Sequence, residues 1–103
     1  MPRALSSAMA LVLDALARGS RHGFDILDAT GLPSGTVYPI LRRLEDDGLA
    51  ASRWENARIA QREQRPPRRY YELTAAGLAL LAEARARFPI LSPLPSRARP
   101  RRA

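Results

Sequence analysis

Residues 34–49, Ser34-Gly-Thr-Val-Tyr-Pro-Ile-Leu-Arg-Arg-Leu-Glu-Asp-Asp-Gly-Leu49, carry the side chains of this chain best suited to recognising another molecule. Val37, Ile40, Leu41 and Leu44 recur at i, i+3, i+4 and i+7, the spacing of a helix with one face on a core. The other face then carries Thr36, Tyr38, Pro39, Arg42 and Arg43. Hydroxyls, an amphipathic ring, an apolar patch and forked cations are groups that read a nucleic-acid groove. Arginine pairs bidentately with guanine, and apolar surface meets thymine methyls. The plainer alternative is that Tyr38 packs on a neighbouring helix while Arg42 and Arg43 pair with Asp46 and Asp47, each four residues on. Ser34 is the expected N-cap, and the same helix end can receive a phosphate.

Nothing comparable points to catalysis. The chain has no cysteine, so it holds no disulfide, thiol sensor or zinc knuckle. With His22 its one histidine and no carboxylate pair in an expected cleft, no catalytic residue, metal site or cofactor is expected. The start of the chain reads neither as a signal peptide nor as a membrane span, so a cytoplasmic protein is expected.

Charge favours a polyanionic partner. The 103 residues carry a net charge of +7, and all 17 basic residues are arginine. Codon bias in a GC-rich genome is an alternative account of the missing lysine, but it does not explain where the charge sits. Residues 53–69 hold Arg53, Arg58, Arg62, Arg65, Arg68 and Arg69 against Glu55 and Glu63, a net +4. The end of the chain adds Arg97, Arg99, Arg101 and Arg102 without an acid, whereas residues 34–47 are net −1. Phosphate attraction is therefore expected from residues 53–69 and the tail, and selectivity from the helix.

These side chains need a scaffold. A first helix is expected over residues 5–17, capped by Ser6 or Ser7 and apolar on two sides. Leu5, Met9, Val12 and Leu16 share one side, Leu11 and Ala15 the other, as suits a central core helix or one that also meets a second subunit. A core of this size often gains stability by dimerising. A second helix opens at His22, with Phe24 and Ile26 or Leu27 turned inward; His22 is either a phosphate contact or structural. A strand over residues 50–55, a loop over 56–67 and a returning strand over 68–73 form a hairpin. The Tyr70–Tyr71 pair suits one buried and one exposed ring, and Trp54 is assigned by default to the core, with stacking on a flat aromatic effector as the alternative. Thr74 caps a last helix over 75–88, with Leu78, Leu81 and Ala82 on one face and Leu80, Ala84 and Phe88 on another. Residues 89–103, with four prolines and four arginines, are expected to be a disordered tail. The fold class is mainly α with a small β-hairpin: a winged helix-turn-helix with an added C-terminal helix.

Three motifs in order, His22-Gly-Phe-Asp-Ile-Leu27, Gly31 to Leu49 and Pro67-Arg-Arg-Tyr-Tyr-Glu-Leu-Thr-Ala-Ala-Gly77, make residues 5–88 resemble the PadR-family transcriptional regulators. The resemblance implies a homodimer bound to double-stranded operator DNA, usually as a repressor. It implies that the third helix enters the major groove through Ser34, Gly35, Thr36, Tyr38 and Pro39, which match the family's Ser-Gly-Thr-x-Tyr-Pro one for one. Arg42 and Arg43 complete that surface, and Arg62, Arg65, Arg68 and Arg69 of the wing would lie along the backbone or minor groove. The family's first and last helices form the subunit interface, here Leu5, Met9, Val12, Leu78, Leu81 and Phe88. Any small-molecule effector is expected between subunits, since one subunit has little interior to spare. Two departures stand out: Gln64-Arg-Pro-Pro67 replaces the usual wing glycine, and the short form, without a further helical domain, is expected. A winged helix that binds a partner regulator is the rival reading, favoured by acidic Glu45-Asp-Asp47.

Overall fold

The computed structural model describes residues 5–89; beyond Pro89, the expected tail lies outside the described residues. Helix α1 (Ser7–Ala17) is capped by Ser6, whose Oγ accepts from the Met9 N–H at 3.1 Å. Met9, Ala10, Val12, Leu13, Ala15 and Leu16 are all buried, so α1 is the central core helix of the chain. Asp14, also buried, accepts from Arg18 at 2.7 Å and from Arg85 at 2.9 Å, which ties α1 to the C-terminal helix.

Helix α2 (Gly23–Thr30) follows His22 and stops at Gly31, whose φ of 72° closes the helix with a 2.8 Å bond from its N–H to the Leu27 carbonyl. Its inward residue is Ile26, fully buried. Phe24, expected inside, is 72% exposed instead. Two positions separate them, so a helix cannot turn both toward one core.

Helix α3 (Ser34–Asp46) buries Val37, Leu41 and Leu44 completely, with Ile40 packed at the margin. Pro33, not Ser34, occupies the N-cap position; Ser34 is the first helical residue and makes no capping bond. The fixed proline φ sets the entry of the chain into the helix. Pro39 lies on the exposed face, so the carbonyl it leaves unpaired at Gly35 meets solvent.

Strands β1 (Ala50–Trp54) and β2 (Arg69–Leu73) pair antiparallel, with Ser52 opposite Tyr71 and Trp54 opposite Arg69. A bridge from His22 to Tyr70 adds the start of α2 to the far edge of β2. Both tyrosines of the pair are half-buried, because each face of β2 is covered in part. Trp54 is 61% exposed, not in the core.

The connection between the strands is not a loop. Residues Ala57–Arg62 form a short helix, α4, capped by Asn56, whose Oδ1 accepts from the Arg58 N–H at 2.7 Å. Helix α5 (Ala75–Arg87) begins at Thr74, whose Oγ1 accepts from Gly77 at 3.1 Å and donates to the Gly48 carbonyl at 2.7 Å. Its core-facing line is Gly77, Leu81 and Ala84, whereas Leu78 is 53% exposed and Ala82 also faces outward.

Candidate nucleic-acid interface

The outer face of α3 is open as its periodicity predicts. Ser34, Gly35, Tyr38, Pro39, Arg42 and Arg43 are exposed and Thr36 is half-exposed. Tyr38 does two things at once. It is 44% exposed, yet its hydroxyl end lies so close to Gly23 that a Cβ there would collide with it. The glycine lets the ring rest on α2 while one side stays outward. Arg43 lies 3.9 Å from Asp47, but the expected Arg42–Asp46 pair does not form, and the Arg42 guanidinium has no carboxylate partner among the described residues.

Glu45 fastens α3 to the hairpin. Its Oε2 accepts from Ser52 Oγ at 2.7 Å and lies 3.3 Å from Arg69 Nη2. Arg69 also donates to Ser52 Oγ at 3.0 Å and lies 5.1 Å over the Trp54 ring. One arginine thus crosslinks both strands to α3. Beside it, burial pushes the Tyr71 hydroxyl up from its usual range, against the opposing effect of Arg69.

The other end of the hairpin is held by Glu55. Arg65 donates to both of its oxygens, at 2.7 and 2.9 Å, the Arg68 N–H adds a bond at 3.1 Å, and the Tyr70 hydroxyl one at 3.4 Å. The Arg65 fork, outweighing desolvation, holds the Glu55 carboxyl down at about 2 and raises Arg65 in turn. Arg65 is therefore a structural clasp, and Arg69 is committed to Glu45. Of the four wing arginines named from the sequence, Arg62 and Arg68 have guanidinium groups with no carboxylate partner among the described residues. Arg58 on α4 likewise has no carboxylate partner among the described residues; the sequence counted it in the charge of 53–69 but did not single it out, because 56–67 read as a loop. Asn56 before an Arg58–Arg62 spacing of i, i+4 was the available signal.

His22 is buried, edge-on to Tyr70 at 5.7 Å and 3.3 Å from Asp25. Its packing fits the structural alternative. His22 and Gly23 line a cleft of about 250 Å³ with Phe24, Tyr38, Arg68 and Tyr71, among others, so the foot of the wing and the outer face of α3 share one side of the molecule.

Residues 12–83 match the transcriptional regulator PadR-like family, most of the chain. The chain belongs to that family. A PadR-like transcription factor from Bacteroides fragilis is 29% identical, with a TM-score of 0.67 and 82% of each chain covered. A PadR family regulator from Clostridium difficile R20291 shares the fold at a TM-score of 0.70, 23% identity and coverage of 84% of this chain and 91% of that one. The Bordetella bronchiseptica protein BpsR, whose structure concerns regulation of its DNA binding by 6-hydroxynicotinic acid, is 25% identical at a TM-score of 0.65, over 85% of this chain and 58% of that one. Among the curated proteins, none matches.

As a PadR-like regulator the chain is a DNA-binding protein and not an enzyme. Its winged-helix fold, two-stranded hairpin and C-terminal helix are those expected from sequence. Among the described residues no helix is long and apolar enough to cross a membrane. Of the side chains expected at a PadR subunit interface, Leu5, Met9, Val12 and Leu81 are already buried within one subunit. Leu78 and the half-buried Phe88 keep apolar surface outward.

Proposed function

We propose that this chain is a homodimeric repressor whose residues 5–88 act as one operator-binding unit. The supporting observation is the open outer face of α3, with Thr36, Tyr38, Pro39 and an uncommitted Arg42 beside the wing. Arg42 forks onto a guanine edge, Thr36 and Tyr38 supply hydroxyls, and Pro39 offers apolar surface to a thymine methyl. Ser34, Gly35 and Arg43 flank this contact. Arg62 and Arg68 draw on the phosphates, while Arg65, Arg69 and His22 hold the wing and the start of α2 in place. Repression is the proposed sense of regulation, since a bound dimer need only occupy its operator.

The second subunit is proposed to cover α5 around Leu78 and Phe88. Regulation by a small molecule seated between subunits is part of the same reading; the precedent is BpsR, whose DNA binding responds to 6-hydroxynicotinic acid. The rival protein-binding reading keeps only part of its support, because Glu45 is committed to Arg69 and Ser52 and Asp47 lies near Arg43, which leaves the exposed Asp46 as the acid of the three without a cationic partner among the described residues.

The test is genome-wide mapping of DNA bound by the purified protein, followed by footprinting of the recovered site with Thr36→Ala and Arg42→Ala. Each substitution is expected to cost about 1–3 kcal/mol of discrimination at one base position. Wild-type affinity and selectivity in both variants would remove α3 as the reading element.

A further inference from the structure

The cleft shared by the start of α2, the outer face of α3 and the foot of the wing measures about 250 Å³. Pockets for drug-sized ligands usually span about 300–1,000 Å³, so this one has room for a single small ring system. Its wall is mostly apolar and supplies flat surfaces: the rings of Phe24, Tyr38 and Tyr71, and the Pro66–Pro67 step. Phe24, at 72%, is the most exposed large apolar side chain among the described residues. A flat ligand laid on that ring removes apolar surface from water and stacks on it. Gly23 makes room for the hydroxyl end of Tyr38, which holds the opposite ring in place.

Charge selects among flat ligands. Three arginines and no carboxylate line the cleft. Arg65 is committed to Glu55 by two bonds, at 2.7 and 2.9 Å, and Arg69 lies 3.3 Å from Glu45. The third, Arg68, reaches Glu55 only through its backbone N–H, and its guanidinium has no carboxylate partner among the described residues. Two of the three cations are therefore balanced from behind the wall, and one fork faces an apolar recess uncompensated. A carboxylate matches such a fork bidentately.

We propose that this cleft binds a small planar aromatic monoanion, an aryl carboxylate in its simplest form, with its ring against Phe24 and Tyr38 and its charge on Arg68. The site lies within one chain and needs no second subunit, unlike the effector position between subunits. Tyr38 and Arg68 are also groups that the DNA-binding reading assigns to the operator, so ligand and DNA compete for them without any change of fold. Competition rests on that reading; occupation of the cleft does not. By reciprocity, bound operator lowers the affinity for the ligand by the same factor.

The probe is β-naphthoate, with uncharged β-naphthamide as its match in shape. Amide NMR shifts of isotope-labelled protein are followed as each is titrated into wild type, Phe24→Ala, Arg68→Gln and Trp54→Phe, with thermal melts to show that each variant is folded. Saturable naphthoate shifts are expected at residues 22–24, 38 and 65–71. Removing the charge from either side, by Arg68→Gln or by naphthamide, should weaken binding about tenfold or more. Phe24→Ala should weaken it about two- to tenfold, and Trp54→Phe leave it unchanged. No saturable shifts, shifts centred on Trp54 or on Leu78 and Phe88, or undiminished naphthoate binding by Arg68→Gln each overturn the site. Operator titrations then test competition: with naphthoate at about ten times its Kd, the operator Kd should rise about elevenfold. An operator Kd that stays constant under saturating naphthoate overturns competition. Failure of wild type to bind any DNA overturns the DNA-binding reading, and the NMR titration still decides the cleft.

Discussion

Gly77→Ala sets two physical effects against each other. In a helix, alanine is favoured over glycine by about 1 kcal/mol, so propensity alone forecasts a more stable protein. The structure forecasts the opposite. Gly77 is buried where α5 meets the end of α3, and a Cβ there would collide with the Leu49 carbonyl oxygen, a backbone atom that cannot rotate away. The same oxygen accepts from the Thr74 N–H at 3.0 Å, and Thr74 Oγ1 caps Gly77 itself at 3.1 Å. Making room for the methyl moves α5, which strains the packing of Leu81 and Ala84 and stretches the Thr74–Leu49 bond. Overpacking costs about 1–3 kcal/mol and a lost bond about 1 more, against the propensity gain of about 1. The net is a destabilisation of about 1–3 kcal/mol, or roughly 5–20 °C in Tm for a domain of this size. Thermal melts followed by circular dichroism, at one protein concentration so that subunit association is held constant, measure it. Gly35→Ala is the control: it is also helical, but nothing lies within 4 Å of a Cβ built there, so it is expected to melt at or above wild type. A Gly77→Ala protein as stable as wild type would refute the steric argument.

Two further outcomes follow from the wing. Gln64 takes a φ of 56° after α4, the left-handed region that a glycine adopts without penalty. Gln64→Gly should therefore stabilise the protein by about 0.5–1 kcal/mol after the added freedom of the unfolded chain is deducted, measurable by urea denaturation; a loss of stability would refute it. Glu55 is held down to about 2 from 4.5, so its stabilising effect is complete above pH 4.5 and is lost as pH falls toward 2. The stability gap between wild type and Glu55→Gln should close across that window in acid-unfolding experiments, and a gap that stays constant through it would exclude the proposed role of the Arg65 fork.

Elements with strong periodicity were legible from sequence, and so were glycine and proline boundaries. Val37, Leu41 and Leu44 define α3 in either reading, and Thr74 caps α5 as expected. Phe24 and the N-cap of α3 were misread locally, but the other failures depend on partners distant in sequence. Helix α4 is six residues long and mostly polar, too short to show a period, and Arg65, Glu55 and Ala60 hold it. Residues 75–88 suggested more than one apolar face, and only packing against α1 and Leu49 selects Gly77, Leu81 and Ala84. At the candidate interface the exposed outer face of α3 was visible. The division of arginines into structural and available was not, because bonds from Arg65 to Glu55 and from Arg69 to Glu45 span 10 and 24 residues.

That division changes what the net charge means. Counting residues assigns +4 to 53–69 and −1 to the reading helix, as though every charge faced the partner. In the folded protein Arg18 and Arg85 belong to Asp14, Arg43 lies nearest Asp47, Arg65 belongs to Glu55 and Arg69 to Glu45. Arg21 and Arg53 lie over the Tyr70 ring at 5.3 and 5.4 Å. Among the described residues, the cations left to an outside anion are concentrated on α3, α4 and the foot of β2, at Arg42, Arg58, Arg62 and Arg68, with Arg87 closing α5. Arg69 contributes by subtraction. With Glu45 neutralised, α3 no longer brings three carboxylates to a polyanion, and repulsion between unpaired like charges is what would most weaken a slightly acidic reading helix. Arg69, whatever else it touches, therefore decides how much negative charge the end of α3 presents.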